Sequence, residues 1–261
     1  MSRTARAPDP DFLAQVDSHP APVSCRATDY PAGHMIAPHA HTKSQLIYAV
    51  HGVMMVSAGK GRWIVPPTRG IWMPAGLPHA IRCIGELRMR SIYVRPEAAP
   101  QLPTHSHAVG ISPLLRELIQ AATEVAPGYT ENSRDGRVMR LLLDELHALP
   151  VLPLHLPQPT DARLHRICAR LLAAPHDATT LGEWAGRLSV DAKTLQRVFA
   201  RETGMTFSKW RQQARLLHGL ERLATGAKVV DVALALGYDS PSAFATMFKR
   251  QFGLPPSEFF R

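Results

Sequence analysis

Cysteine is scarce in this chain: there are three among 261 residues, and Cys25, Cys83 and Cys168 form no CxxC pair. That excludes a disulfide framework and a structural zinc knuckle, and fits a reducing compartment. Long apolar runs are missing too. No stretch approaches the roughly 18 apolar residues of a membrane helix. The opening MSRTARAPDPDF carries positive charge with no apolar segment behind it, so no secretory leader is read there. The expected setting is the cytoplasm, with no membrane partner. Acidic residues also run short, at 21 against 30 Lys and Arg, for a formal charge of +9. The excess is uneven: residues 158–261 hold 15 basic and 9 acidic side chains, whereas residues 1–157 hold 15 and 12. A basic surface raises the local concentration of an anionic partner such as nucleic acid, and most of the excess lies in the C-terminal part.

What is present is an ordinary globular composition, 45% hydrophobic and 20% charged, in a chain long enough for two modest domains with separate cores. Residues 1–32, rich in Pro, Asp and Ala without a period, read as an N-terminal arm with little regular structure. From Gln45 to Arg95, short β-branched and aromatic runs such as QLIYAV, GVMMVSA and LRMRSIYV, broken at Gly59-Lys60-Gly61 and Gly85, imply a β-sandwich or barrel. That domain is placed at residues 33–97. Residues 98–149 turn helical. Ser112 followed by Pro113 opens a helix over 114–124, and a second is predicted over 133–149. Its Val138, Leu141, Leu142, Leu146 and Leu149 lie near one face, as suits a helix packed on its own barrel or on a second copy in a homodimer. Residues 150–159, with prolines at 150, 153, 157 and 159, cannot continue a helix and predict an extended, semi-rigid linker.

Residues 160–261 contain an internal repeat. DAKTLQRVFARETGMTFSKW from Asp191 lies over SPSAFATMFKRQFGLPPSEF from Ser240, matching Leu195 to Phe244, Val198 to Met247, Phe199 to Phe248, Gly204 to Gly253 and Trp210 to Phe259. The preceding helices match one residue closer, Ala185 over Ala233 and Leu188 over Leu236. In the first copy Thr180 and Glu183 have capping-box spacing, and Leu181, Trp184, Ala185 and Leu188 follow at i, i+3, i+4 and i+7. After Ser189-Val190, Asp191 caps a second helix with Leu195, Val198 and Phe199 inward and Gly204 at its end. Helix, tight turn, helix is written twice, and a helical segment from Thr206 to about Ala224 holds the units at fixed spacing.

These residues resemble the AraC/XylS family of bacterial transcription regulators, whose DNA-binding module is two helix-turn-helix units joined by a long helix. The most specific stretch is VVDVALALGYDSPSAFATMFKRQFGLPPSEFFR, from Val229 to Arg261. The resemblance implies double-stranded promoter DNA as partner, read by Lys193, Thr194, Gln196 and Arg197 of the first recognition helix. Arg is suited to guanine O6 and N7, and Gln to adenine N6 and N7. In the second unit Ser242, Ala243 and Thr246 offer short or methyl contacts, and members often carry a longer polar side chain where Thr246 stands. Lys249 and Arg250 suit phosphates, which position without specifying.

Upstream, Gly33, His39, His41, Gln45 and Gly52 stand at G-x5-H-x-H-x3-Q-x6-G, and Pro74, Gly76 and His79 at P-x-G-x2-H. Side chains two apart on a strand share a face, so His39 and His41 can enter one interior with His79. The spacings resemble the two motifs of cupins, small β-barrels that commonly hold a divalent metal on three His and a Glu and often serve as the sensor of AraC-like regulators. Gln45 stands where the Glu usually is, and Cys83 where the second motif often ends in Asn. The resemblance implies a site at His39, His41, Gln45 and His79 for a divalent metal (Zn, Ni, Fe or Cu) or, equally, for a small-molecule effector held by hydrogen bonds.

The expected fold is therefore α+β in two domains, a cupin-like β-barrel followed by helices and then an all-α double helix-turn-helix. The expected function is a one-component transcription regulator without enzymatic activity. The alternatives are a metal-dependent cupin enzyme, an oxygenase or isomerase with an accessory helical domain, and a helical scaffold that binds no DNA.

Overall fold

A computed structural model describes residues 10–59, 61–67, 69–149, 151–152 and 156–259, with the side chains of 10–12 and 151–152 left out of the description. Pro150 and residues 153–155 of the predicted linker lie outside the described residues. The chain divides into two compact units, Met1–Gly59 with Trp63–His155, and Lys60–Arg62 with Leu156–Arg261.

The first unit opens with helix α1 (Pro10–Ser18), followed by strands β1 (Val23–Tyr30), β2 (Met35–His39), β3 (Ser44–Ala58), β4 (Gly61–Val65, whose first residues belong to the second unit), β5 (Arg69–Met73), β6 (His79–Val94) and β7 (His107–Gly110). Helices α2 (Pro113–Ala122) and α3 (Arg134–His147) and the short strand β8 (Val151–Leu152) complete it. The strands form one antiparallel sheet along the path β1-β6-β3-β5-β7-β8, with β2 on β6 and β4 on β3. The long strands β3 and β6 pair along most of their length, with register shifts between Ala49 and Val53. Such irregularities bend a strand and let it serve two parts of a sheet.

Alternation divides the sheet into two faces. Val23, Leu46, Tyr48, Trp72, Ile92 and Val94 face one core with Leu115, Leu118 and Ile119 of α2 and Met139, Leu142 and Leu146 of α3. Their neighbours Gln45, Ser91 and Tyr93 point the other way and are also buried. Both helices start where expected: Ser112 Oγ accepts from Leu115 N at 3.0 Å, and Ser133 Oγ from Gly136 N at 3.0 Å.

Two expectations, the irregular arm and the barrel bounds, need correction. Residues 1–32 are not an irregular arm throughout, because α1 lies there and all eight residues of β1 pair with β6. β1 is an edge strand in which Val23 is the one buried residue, and no apolar run marked it in the sequence. The sheet accordingly extends beyond residues 33–97, from Val23 to β7 and β8. The apolar side of α3 is mostly covered from within the unit: Leu142 and Leu146 are core, Val138 and Leu149 pack against it, and Leu141 alone of the five is exposed, at 41%. Of the predicted linker, two described stretches are laddered. Val151–Leu152 pairs with Ala108–Val109, and β9 (Leu156–Pro157) pairs with Gly61–Arg62.

The second unit contains α4 (Ala162–Ala173), α5 (Leu181–Arg187), α6 (Ala192–Thr203), α7 (Phe207–Ala224), α8 (Val229–Ala235) and α9 (Pro241–Phe252). The capping box of Thr180 and Glu183 is formed, Asp191 caps α6, Thr206 caps α7, and Ser240 with Pro241 starts α9. The repeat reaches the backbone. Gly204 and Gly253 both end their helices in the left-handed region, at φ +67° and +83°. The turn inside each pair is left-handed as well, at Ser189 (φ +53°) and Gly237 (φ +73°). Each copy closes on aromatic rings: Phe199 meets Phe207 and Trp210 at centroid distances of 5.6 and 6.2 Å. Phe248 meets Phe244 and Phe259 at 5.7 and 5.1 Å. Among the described residues no helix is long and apolar enough to cross a membrane.

Candidate functional site

On α6 the residues Leu195, Val198 and Phe199 are buried. At about 100° per residue this turns Lys193 and Arg197 to solvent and leaves Thr194 and Gln196 half-buried beside them. On α9 burial of Phe244, Met247 and Phe248 likewise exposes Ser242, Ala243, Thr246, Lys249 and Arg250. All nine residues read from the sequence as DNA contacts therefore lie on the outward side of the second helix of a helix-turn-helix pair.

The structure adds a group that sequence reasoning missed. Ala243, Thr246 and Arg250 share a groove of about 400 Å³ with Ser208, Arg211 and Arg215 of α7, and among the described residues no carboxylate lines it. Arg215 Nε donates to Pro175 O at 2.7 Å, and Arg211 Nη1 to Thr179 O at 3.3 Å, so both guanidinium groups are anchored. Their signal was present in the sequence, since Ser208, Arg211, Gln212 and Arg215 stand at i, i+3, i+4 and i+7. That spacing marks a polar face as well as an apolar one.

In the first unit His39 ends β2, His79 opens β6 opposite it in register, and His41 lies two residues past the end of β2. The three offer ring nitrogens that all fall within 4.8 Å of one another. Ring centroids are 5.0 Å apart for His39–His41, 4.4 Å for His39–His79 and 5.7 Å for His41–His79. His39 Nδ1 lies 2.9 Å from Ala37 O and His79 Nδ1 3.1 Å from Leu77 O. A neutral imidazole that donates from Nδ1 keeps its Nε2 lone pair free for a ligand. His41 and His79 are 4% and 3% exposed, and among the described residues both ring nitrogens of His41 and Nε2 of His79 lack a hydrogen-bond partner.

Electrostatics keep the cluster uncharged. Burial, then the neighbouring His39, pulls His41 down to about 4 despite Asp17. Burial likewise pulls His79 down to about 4, partly opposed by its bond to Leu77 O. Burial also lowers His39. Three neutral imidazoles meeting at one point are a donor set suited to a borderline divalent metal.

Gln45 joins through neighbours. Its Nε2 donates to Ser91 Oγ at 3.0 Å and Tyr93 Oη at 3.2 Å, the Tyr93 ring sits 5.1 Å from that of His41, and Gln45 Oε1 has no partner among the described residues. Two contributors were not foreseen. Tyr93 could have been found by alternation along β6. Asp17, whose Oδ1 lies 4.0 Å from His41 Nδ1 and accepts from Thr42 N at 3.0 Å, sits in the segment read as an arm and had no local signal.

Comparison with known proteins covers both units. The family described as "AraC-like ligand binding domain" matches residues 21–181, and the family described as "Helix-turn-helix domain" matches residues 184–261. The chain is 34% identical over 221 residues to the HTH-type transcriptional regulator NimR of Escherichia coli K12, covering 85% of this chain and 81% of that one. It is 36% identical over 107 residues to the HTH-type transcriptional regulator RipA of Corynebacterium diphtheriae, 41% of this chain and 31% of that one. ToxT of Vibrio cholerae O395 overlays at a TM-score of 0.38 with 12% identity, over 92% of this chain and 97% of that one, too loosely to carry an argument.

Proposed function

The chain belongs to the AraC family of helix-turn-helix transcription regulators, and from that membership we propose that it grips specific double-stranded promoter DNA with both halves of its second unit and answers to an effector held by the histidines of its first. The observation that carries the DNA half is the doubled, capped helix pair whose second helices turn their polar faces outward. Lys193, Thr194, Gln196 and Arg197 enter a major groove and read base edges, Arg197 on guanine and Gln196 on adenine. Ser242, Ala243 and Thr246 enter the next groove with short side chains. Lys249 and Arg250 hold phosphates, and Arg211 and Arg215 extend that hold along the groove beside α9. α7, 18 residues long and so roughly 27 Å, keeps the two recognition helices at the fixed separation that adjacent grooves on one face of a duplex require. On this reading the protein works in the cytoplasm, with the DNA. Genome-wide footprinting of the purified chain on host DNA tests the reading, with discrete protected sites expected and uniform weak coverage counting against it.

The effector half rests on the partnerless buried nitrogens of His41 and His79. His39, His41 and His79 would hold a divalent metal, Zn, Ni, Fe or Cu, with Gln45 Oε1 as the available fourth donor and Asp17 orienting His41 from behind, as carboxylates do for metal-bound imidazoles. A bound ion would supply the partner that these nitrogens lack. Elemental analysis of tag-free protein, before and after addition of Zn, Ni or Fe, decides between a metal and an organic effector. Stoichiometric metal supports the first, and none after loading leaves the second. In either case the effector must favour one conformational or oligomeric state to act. The homodimer belongs to this same reading, on the outer side of α2 and α3 where Leu114 and Leu141 are exposed, and light scattering of the full chain measures it. Family membership leaves the metal-dependent enzyme without support.

A further inference from the structure

A cavity of about 480 Å³ lies in the first unit, lined by none of His39, His41 and His79. Its walls are Val16 and His19 from the end of α1, Cys25 and Arg26 of β1, and Tyr129 and Met139 from the far side of the sheet edge. Among its described lining residues none is Asp or Glu. Size and lining match sites for small organic molecules, which are mostly apolar with a few placed polar groups.

Cations lie at the cavity and beside it. Arg26 is the cation of the lining, steadied by Gln15, whose Oε1 accepts from Arg26 Nη1 at 3.3 Å. The ammonium of Lys43, itself 3% exposed, donates to His19 O at 2.7 Å. Lys43 feels Arg95 as a repelling neighbour and Asp17 as an attracting one, and Asp17 is already engaged with Thr42 N and faces His41. Burial raises the Cys25 thiol well above its ordinary range, so at neutral pH it is an uncharged, apolar wall.

We propose that this cavity is a second effector site, for a small organic monoanion with an apolar or aromatic body, its carboxylate toward Arg26 and its body against Val16, Cys25 and Met139. The site adjoins the histidine cluster by two routes. Tyr93 lines the cavity and touches the ring of His41. Val16 and Ser18 line it while Asp17, between them on α1, faces His41. An occupant that shifts α1 therefore moves the carboxylate that faces His41 at 4.0 Å. The role as effector rests on the regulator reading above, but occupancy of the cavity does not.

The test uses the full chain without DNA or added metal. Calorimetric titration with phenylacetate and 4-phenylbutyrate is compared with the matching neutral amides, alongside the rate at which a maleimide labels Cys25, the half-buried cysteine of the three. The acids are expected to bind at least about tenfold tighter than their amides and to slow Cys25 labelling. Arg26→Gln should remove the tenfold preference, and Val125→Trp, at a loop position on the cavity wall, should weaken acids and amides alike. Equal binding of acids and amides, no binding of either, or an acid preference that survives Arg26→Gln would overturn the proposal. DNA footprints would be unaffected by any of these outcomes, so this failure is distinct from failure of the regulator reading.

Discussion

Acidifying the metal-free protein should unfold its first unit well before ordinary acid denaturation, and the magnitude follows from His41 and His79. Both sit near 4 in the folded state against 6.5 for the free side chain. The folded state therefore refuses protons that the unfolded chain accepts, so this contribution is intact above pH 6.5 and is lost as pH falls from 6.5 toward 4. At 1.36 kcal/mol per pH unit, one such histidine removes about 2 kcal/mol by pH 5 and about 3 kcal/mol by pH 4. A second removes more, on a domain stability of order 5–15 kcal/mol. Urea titrations in a chelator, followed by ¹⁹F NMR of fluorotryptophan, separate Trp63 and Trp72 in the first unit from Trp184 and Trp210 in the second. The midpoint should fall steeply between pH 6.5 and 4.5 for Trp63 and Trp72, and the double variant His41→Leu/His79→Leu should flatten that fall. A wild-type midpoint unchanged across that range, or an equally steep fall in the double variant, would refute the reasoning.

Specificity should be lopsided between the two recognition helices. Arg197→Ala is expected to relax preference at one or two base pairs by about 1–3 kcal/mol, and Thr246→Ala to cost less than about 1 kcal/mol, both measured on an operator and its single-base variants. Lys249→Ala should weaken all sequences alike and flatten the salt dependence by about one unit of slope. The turns should differ in tolerance. Gly237→Ala combines a left-handed φ with a Cβ 3.2 Å from His176 backbone and should cost at least about 1–2 kcal/mol, whereas Ser189→Gly relieves strain and should leave stability level or slightly raised in a urea titration.

The second unit was legible because its signals are local. Caps at Thr180, Asp191, Thr206 and Ser240, left-handed glycines at 204 and 253, and a repeated aromatic core each act within a few residues, and they agree with one another. The histidine site was legible for a similar reason: His39 and His41 share a short segment, and His79 falls opposite His39 in register. What escaped depends on distant partners. β1 is a strand through its pairing with β6, and Asp17 acquires its place from a fold contact 24 residues along the chain. The leucine spacing of α3 announced a buried face without saying against what, and the answer was α2 and the core it shares with the sheet of the same unit. The polar face of α7 was missed because periodicity was applied to its apolar residues alone.

The measurement that bears most directly on the account is the affinity of the full chain for a footprinted site against a shuffled duplex of equal composition, at physiological salt. Specific binding at least about 10³-fold tighter than to the shuffled duplex is predicted, with most of that ratio lost in the triple variant Lys193→Ala/Gln196→Ala/Arg197→Ala. Affinities within tenfold of each other, or a ratio untouched by that variant, would contradict it.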